Sequence, residues 1–211
     1  MGDTNKAIET SRGLYAKNPK SYGAAWRFAR ASFFLAHRTN DKKKKSKIGY
    51  EGYEAGVQAQ KLNPKGAEGF YWGACALGEY GMSAGIVRAI SKGIGGKIKK
   101  MLTRAYNLDR HSSYAGPSGA LGRYWYMIPW PMKDLEKSIK YLEEAVRLAP
   151  LKLRHHAHLA DAYLADERTD LAMKHFKICA GGDPDKEEYL DGVEWKRYCK
   201  NKLKELKSPS P

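Results

Sequence analysis

Residues 150–184 read PLKLRHHAHLADAYLADERTDLAMKHFKICAGGDP, and they carry the clearest structural signal in the chain. They run from one proline to the next over 34 residues, which is the period of a tetratricopeptide repeat. Leu159 and Ala160 form a large–small pair at which two helices can cross closely, with Tyr163 on the same face. A small–large–small set follows at the offsets of a second helix: Ala172, Phe176 and Cys179. The stretch therefore predicts a helical hairpin of tetratricopeptide type.

A short motif ends this repeat, a polar residue or alanine followed by proline, and it recurs along the chain. It stands at Asn18-Pro19, Asn63-Pro64, Ala149-Pro150 and Asp183-Pro184, and Asp109-Arg110 takes the same place without the proline. Proline cannot continue a helix, so each motif ends one helix and the next begins at once. The intervals of 45, 46, 40 and 34 residues leave room for insertions in every repeat except the last.

These marks predict an all-α fold, a right-handed tetratricopeptide-like solenoid of about four helical hairpins with a leading and a capping helix. The leading helix is expected near 4–17 and a polar, lysine-rich capping helix near 186–206. The first helices of the hairpins are expected near 21–37, 66–80, 117–127 and 153–166. The second helices are expected near 46–62, 86–107, 133–148 and 169–180. Residues 1–207 are predicted to form a single domain, with a disordered tail at 208–211.

The charge balance limits the kinds of partner. Thirty-eight Lys and Arg against 23 Asp and Glu give a net charge of +15, which attracts acidic partners. The lysine run 42–45 lies in one predicted hairpin turn rather than along a groove, so we interpret it as a solvated loop and disfavour nucleic-acid binding. No run approaches the roughly 20 apolar residues of a membrane span, and the first residues carry no apolar signal segment.

Catalysis, metals and cofactors are not expected. His155 and His158 share a helix face, but no carboxylate or cysteine stands beside them at ligand spacing, and a closed site needs about four ligands. Cys75, Cys179 and Cys199 are too far apart for a CxxC motif. Buried, inert thiols are favoured, with one Cys179–Cys199 bridge as the alternative. The sequence contains no HExxH motif and no phosphate-binding loop motif of the form GxxxxGK[ST].

The insertions carry a resemblance to a known family. The motifs, in order, are GMSAGI (81–86), IKKML (98–102), AYNLD (105–109), GP (116–117), ALGR (120–123) and PWP (129–131). Over roughly residues 45–180 their order resembles the T components of TRAP transporters (TatT-like proteins). The resemblance implies a periplasmic tetratricopeptide-like protein that associates with a solute-binding protein, here an acidic one. It also implies a homo-oligomer, a trimer, and a cleft for a small hydrophobic or organic-anion ligand.

A candidate binding surface lies on the concave face that the first helices of such a solenoid form. Positions one turn apart on these helices hold aromatic and charged side chains, the composition of a recognition surface: Trp26, Arg30, Phe33, Phe34, Tyr71, Arg123, Tyr126 and Asp161. We expect Arg30 and Arg123 to hold an anion through paired hydrogen bonds. The alternatives are that a further layer covers these residues as core, and that the protein is a generic adaptor whose basic groove takes an acidic peptide or protein.

A candidate interface lies in the glycine-bounded insertion 81–96. Its aliphatic side chains exceed what one hairpin can bury: Ile86, Val87, Ile90 and Ile94. Exposed apolar patches mark contact sites, so we expect these residues to pack on another protomer or on a partner.

Overall fold

A computed structural model describes residues 2–184, 186 and 188–207, and it describes only the backbone of 2–4 and 86–88. This part of the chain contains eleven helices and no strand, which confirms the predicted all-α class. None of the described helices combines the length and apolarity that crossing a bilayer requires. The predicted tail 208–211 lies outside the described residues.

The helices divide between two compact units, Met1–Ser112 and Ser113–Pro211. The prediction of a single domain over 1–207 stays a prediction. The first unit contains α1 Gly2–Lys17, α2 Tyr22–Arg38, α3 Lys42–Leu62, α4 Ala67–Ala84, α5 Ile86–Ser91 and α6 Ile94–Leu108. In this unit α3 packs against both α2 and α4, and α4 packs against α6, so consecutive helices form hairpins.

Glycine allows α3 and α4 to approach closely. A Cβ atom at Gly56 would lie 2.4 Å from the Cα atom of Gly73, and one at Gly69 would lie 2.9 Å from the Cβ atom of Ala59. Backbone therefore meets backbone at this crossing, which no larger residue permits. In the sequence, the pair Gly73-Ala74 stands at the position that Leu159-Ala160 takes in the last repeat, which predicts a close crossing there, and the structure confirms it.

The lysine run 42–45 is helical, and its interpretation as a loop was wrong. Asp41 is the N-cap of α3, and its carboxylate accepts hydrogen bonds from the backbone N–H groups of Lys43 at 2.8 Å and Lys44 at 3.1 Å. A capping aspartate satisfies N–H groups that the first helical turn leaves without partners. The cap therefore starts α3 about one turn before the expected residue 46.

The insertion after α4 also differs from the single helix expected near 86–107. Gly85 (φ 83°) follows α4, and Gly93 (φ 60°) precedes α6, so a left-handed residue bounds the short α5 on each side. Glycine adopts positive φ at no steric cost, whereas a right-handed helix cannot continue through it. Gly93 therefore divides the expected helix into α5 and α6, and Gly85 separates α5 from α4.

The second unit contains α7 Ser112–Met127, apart from its first residue, and α8 Leu135–Leu148, α9 Leu153–Ala165, α10 Thr169–Gly181 and α11 Tyr189–Lys207. Ser113, Tyr114 and Ala115 have φ between 53° and 56°, so the right-handed part of α7 begins close to Pro117, as predicted. Proline suits the first turn of a helix because its missing N–H group would have had no partner there.

The core of the second unit follows the repeat pattern. The residues at the expected packing positions are all buried: Leu159, Ala160, Tyr163, Ala172, Phe176 and Cys179. The interpretation of Cys179 as a free thiol was wrong, because its sulfur is bonded to that of Cys199, with 6.0 Å between the Cα atoms. This bond attaches α11 to α10. Cys75 is half-buried, and its sulfur is a thiol rather than part of a disulfide.

Candidate partner-binding surface

Four aromatic rings from α2 and α4 pack together in the first unit. The ring centroid of Trp72 lies 5.9 Å from that of Phe33, 5.7 Å from that of Phe34 and 4.5 Å from that of Tyr71. Tilted rings at these distances are favourable contacts. Tyr71 and Trp72 are 4% and 2% exposed, whereas Phe33 and Phe34 are half-buried. The α4 rings therefore form a buried floor and the α2 rings reach the surface.

Two arginines flank this cluster. The guanidinium carbon of Arg30 lies 5.8 Å from the ring centroid of Phe34 and 5.4 Å from that of Trp72. The guanidinium carbon of Arg38 lies 5.4 Å from the same Phe34 ring. A cation over an aromatic face is attracted by the electron density of the ring. We name Arg30, Phe33, Phe34 and Arg38, with the floor beneath them, the aromatic–arginine surface.

The predicted groove residues of the first unit fall into three places. Arg30, Phe33 and Phe34 lie on the aromatic–arginine surface, as half-buried residues. Tyr71 belongs to the floor, so for this residue the core alternative is correct. Trp26 is half-buried, and the guanidinium carbon of the neighbouring Arg27 lies 4.4 Å from its ring centroid.

A buried carboxylate joins three helices of the same unit. Glu79, on α4, is 3% exposed and accepts a hydrogen bond from His37 Nδ1 at 2.8 Å, while Lys45 Nζ lies 3.1 Å from its other oxygen. Burial by itself raises the pKa of Glu79, but the hydrogen bond and charge of His37 and the charge of Lys45 together hold this pKa below its ordinary value. The ends of α2 and α3 are thereby held to α4.

The second unit brings the other three predicted residues together in a different way. Arg123 donates to Asp161 Oδ2 at 3.2 Å, and Tyr198 of α11 donates to Asp161 Oδ1 at 2.6 Å. The guanidinium carbon of Arg123 lies 4.8 Å from the ring centroid of Tyr126. Burial raises the pKa of Asp161, and the bond from Tyr198 and the charge of Arg123 oppose the rise. The expectation that Arg123 holds the carboxylate of a ligand is corrected, because Asp161 of the chain itself takes that position.

The predicted interface residues are only partly described. The side chains of Ile86 and Val87 lie outside the described residues. Ile90 is 64% exposed, in agreement with a contact role, which stays a prediction. Ile94 is 3% exposed and packs with Leu77 and Tyr80, so its expected role in a contact between protomers is corrected to one in the core.

The histidines of α9 each have a partner within the second unit. The ring of His155 donates from Nε2 to the carbonyl oxygen of Tyr114 at 2.7 Å. His156 makes the same kind of bond to Pro150 at 2.9 Å, and its Nδ1 lies 2.9 Å from Nδ1 of His175. His158 meets the ring of Trp195 edge-on, with 4.7 Å between centroids. Within the described residues no three potential metal ligands lie together.

Comparison with protein families relates this geometry to a known group. Residues 1–130, which contain the aromatic–arginine surface, match the family described as Regulator of microtubule dynamics protein 1-3. The chain belongs to this family. The comparisons do not support its resemblance to the T components of TRAP transporters. They do support the tetratricopeptide-like character of the repeat. No curated protein sequence matches the chain.

Solved structures show the same fold at low sequence identity. A thermophilic tetratricopeptide repeat protein of Thermus thermophilus aligns with a TM-score of 0.71 and 17% identity, over 96% of this chain and 91% of that one. MamA aligns with a TM-score of 0.53 and 18% identity, over 93% of this chain and 92% of that one. These matches confirm the tetratricopeptide-like class. This member of the family is thus built on that fold.

Sequence reasoning did not include Trp72 and Arg38 among the surface residues. Arg38 stands four residues after Phe34 on α2, and this spacing could have indicated a neighbour on the same helix face. Trp72 follows Tyr71 directly, so helical geometry turns the two side chains to different directions. Only the packing of α2 against α4 shows that Trp72 is the centre of the cluster.

Proposed function

We propose that the chain is a non-enzymatic helical-repeat adaptor that binds an acidic segment of a protein partner on the aromatic–arginine surface. One observation carries the proposal: the guanidinium groups of Arg30 and Arg38 both lie within 6 Å of the ring of Phe34, at 5.8 and 5.4 Å. The tetratricopeptide-like fold supports a role in protein–protein contacts, and the net charge of +15 supports an acidic partner.

The chemistry of this surface suits a carboxylate beside an apolar group. Aromatic rings and arginines supply most of the binding energy at protein interfaces. A guanidinium that rests on a ring is positioned before the partner arrives, so less side-chain entropy is lost on binding. Arg30 would bind an acidic side chain in this way, while Phe33 and Phe34 cover the apolar neighbours of that side chain.

The name of the family supplies the first partner to test. Its members are described as regulators of microtubule dynamics, and we propose that this chain acts in the same process by contacting the microtubule or a protein bound to it. The generic adaptor with an acidic partner thereby becomes a specific hypothesis.

The resemblance to T components leads to a different partner. It predicts a periplasmic location, a trimer and a solute-binding protein as partner, and these stay predictions. The same purified chain separates the two hypotheses in one pull-down experiment with microtubules in one arm and a solute-binding protein in the other.

Co-sedimentation with polymerised microtubules tests the proposal. The Arg30→Ala/Arg38→Ala variant should bind at least tenfold more weakly than the wild type, since a hydrogen bond to a charged group contributes about 1.5–3 kcal/mol. Raising the salt concentration should weaken binding of the wild type, because screening acts on the charge attraction.

The matched control is Lys43→Ala/Lys44→Ala, which removes the same charge from the exposed first turn of α3. Melting curves of both variants should stay within a few degrees of the wild type. Equal loss of binding in both variants would show that net charge, and not the aromatic–arginine surface, attracts the partner.

A further inference from the structure

One side of α11, at the other end of the chain, carries cations and no carboxylate. Residues spaced three and four apart along a helix lie on the same side. Here they are Val193, Lys196, Arg197, Lys200, Lys204 and Lys207. We name this set the α11 stripe. From Lys196 to Lys207 it extends about 16 Å, at the helical rise of 1.5 Å per residue.

The stripe is available to a partner. Arg197, Lys200, Lys204 and Lys207 are exposed, and within the described residues none of them forms an ion pair. Lys196 lies 4.0 Å from Asp183, a contact that solvent screens because Asp183 is fully exposed. Clustered like charges repel one another, so an acidic ligand would relieve a cost that the free protein carries.

The side chains of the stripe, with Asn201 and Leu203 beside them, line an open surface cavity of about 520 Å³. Val193 and Leu203 give its lining an apolar component among the cations. Val193 is 41% exposed, whereas Leu203 also packs against the core of the second unit. A cavity of this volume is in the range of known ligand sites and accommodates a few side chains.

The opposite side of α11 is firmly attached, which makes the stripe a rigid platform. Cys199 is bonded to Cys179 of α10, and Tyr198 donates to Asp161 of α9 at 2.6 Å. Trp195 Nε1 donates to Asp191 at 3.1 Å, and Arg154 of α9 pairs with the same carboxylate at 2.5 Å. A site on a rigid element loses little entropy when a ligand binds.

We propose that the α11 stripe binds an acidic peptide segment of a protein partner in which apolar residues alternate with carboxylates. The carboxylates would pair with Lys196, Lys200 and Lys204, and an apolar side chain would enter the cavity beside Val193. This site is separate from the aromatic–arginine surface, in the other compact unit and outside the residues that match the family. It goes beyond the function proposed above and gives the chain a second point of attachment.

The apolar component of the cavity favours a peptide over a nucleic acid. A phosphate backbone would use the cations of the stripe but would leave Val193 without an apolar neighbour. A peptide with leucine between its carboxylates uses both parts of the site. The two ligands therefore differ in a way that a binding experiment can detect.

Fluorescence anisotropy with three labelled probes tests this proposal on the full chain. The first probe is a peptide of glutamate and leucine in alternation, the second has serine in place of each leucine, and the third is a single-stranded oligonucleotide of equal charge. The wild type should bind the glutamate–leucine peptide at least fivefold more tightly than either of the others. Lys200→Glu/Lys204→Glu should weaken binding of that peptide at least tenfold.

The matched control is Lys140→Glu/Lys177→Glu, which makes the same change of charge at exposed positions on α8 and α10. It should bind the peptide within threefold of the wild type. The milder Lys200→Gln/Lys204→Gln variant repeats the test if the charge reversal unfolds α11. Weaker binding of the peptide to Lys200→Glu/Lys204→Glu reports on the α11 stripe, whereas weaker co-sedimentation of Arg30→Ala/Arg38→Ala with microtubules reports on the aromatic–arginine surface. Failure of one site is therefore distinguishable from failure of the other.

Three results would overturn the proposal. Equal weakening by the α11 variant and its control would show that net charge alone attracts the peptide. Equal binding of all three probes would show that the cavity contributes nothing. Loss of peptide binding in Arg30→Ala/Arg38→Ala, together with unchanged binding in Lys200→Glu/Lys204→Glu, would assign the peptide to the aromatic–arginine surface.

Discussion

Glu167 has the backbone conformation on which the turn between α9 and α10 depends. Its φ of 60° is left-handed. Two backbone hydrogen bonds close the turn: the N–H of Arg168 donates to the carbonyl of Tyr163 at 2.9 Å, and the N–H of Glu167 donates to the carbonyl of Leu164 at 3.2 Å. This pair of bonds is the Schellman motif that ends many helices, usually with glycine at the left-handed position.

Glu167→Gly should therefore stabilise the second unit. A left-handed conformation costs a residue with a Cβ atom roughly 1–2 kcal/mol, and the greater chain entropy of glycine in the unfolded state removes part of the gain. We expect the free energy of unfolding to rise by about 0.5–1 kcal/mol, measured by urea denaturation followed by circular dichroism.

Asp166→Gly is the control, since Asp166 precedes Glu167 with a right-handed φ of −94°. Asp166→Gly should not raise the free energy of unfolding, because glycine relieves no backbone strain at that position. If the two glycine variants shift the urea midpoint in the same direction, the left-handed conformation of Glu167 is not the cause of the change in stability.

At this scale the sequence predicts residues along one helix better than pairs between helices. Arg30, Phe33 and Phe34 follow from helical spacing on α2. The bond from Arg123 to Asp161 joins residues 38 positions apart, and no spacing rule indicates it. The chain bends between them, so only the packed helices determine which charges meet.

The crossing of α3 and α4 illustrates what the sequence says about whole elements. The small residues at the repeat positions identified Gly73 as a point of close approach, because only small side chains allow two helices to cross closely. The residue that Gly73 meets, Gly56, was not identified, since the insertions vary the spacing between repeats. The sequence therefore located the contact on one helix and not on its partner.

Gly56→Ala should destabilise the first unit. Its new Cβ atom would lie 2.4 Å from the Cα atom of Gly73, and because that neighbour is backbone, α3 and α4 must move apart. Overpacking of this kind costs about 1–3 kcal/mol. The unfolding temperature, followed by circular dichroism, should fall accordingly.

Gly78→Ala on α4 is the matched comparison, because its Cβ atom would meet nothing within 4 Å. Alanine favours the helix over glycine by about 0.5–1 kcal/mol, so this variant should melt at a higher temperature than the wild type. A Gly56→Ala protein as stable as Gly78→Ala would mean that the two helices are further apart than described.

At the scale of the whole molecule, the repeat predicted the number and order of the hairpins. It could not predict the short α5, which depends on the positive φ of Gly85 and Gly93. Glycine can adopt a positive φ but does not have to, so the sequence alone does not indicate it. Nor could it identify the α11 stripe as a site. Lysines on a terminal helix are expected of any polar cap, and the cavity between them depends on how their side chains are arranged.

Buried histidines should make the stability of the folded chain depend on pH. Burial lowers the pKa of His155 to about 4, although the bond to Tyr114 opposes the shift. Its Nδ1 is buried without a hydrogen-bond partner, so a proton there would have no acceptor. Burial, and then the neighbouring His156, lower the pKa of His175 to about 4 as well.

The sign follows from which state takes up the proton. In the unfolded chain a histidine binds a proton near pH 6.5, whereas folded His155 stays neutral until about pH 4. The stability due to His155 is therefore complete above pH 6.5 and is lost as the pH falls towards 4. The difference between the pKa values of His155 in the unfolded and the folded chain corresponds to a loss of about 3 kcal/mol in the free energy of unfolding over that pH range.

Urea unfolding at a series of pH values between 4 and 7.5 measures this loss. The free energy of unfolding should be level above pH 7 and fall steadily below 6.5. His155→Gln, whose amide can still donate to the carbonyl of Tyr114, should make the fall shallower. His111→Gln, at an exposed position, should leave it unchanged. If His155→Gln loses stability as steeply as the wild type between pH 6.5 and 4, then His155 is not a source of the acid sensitivity.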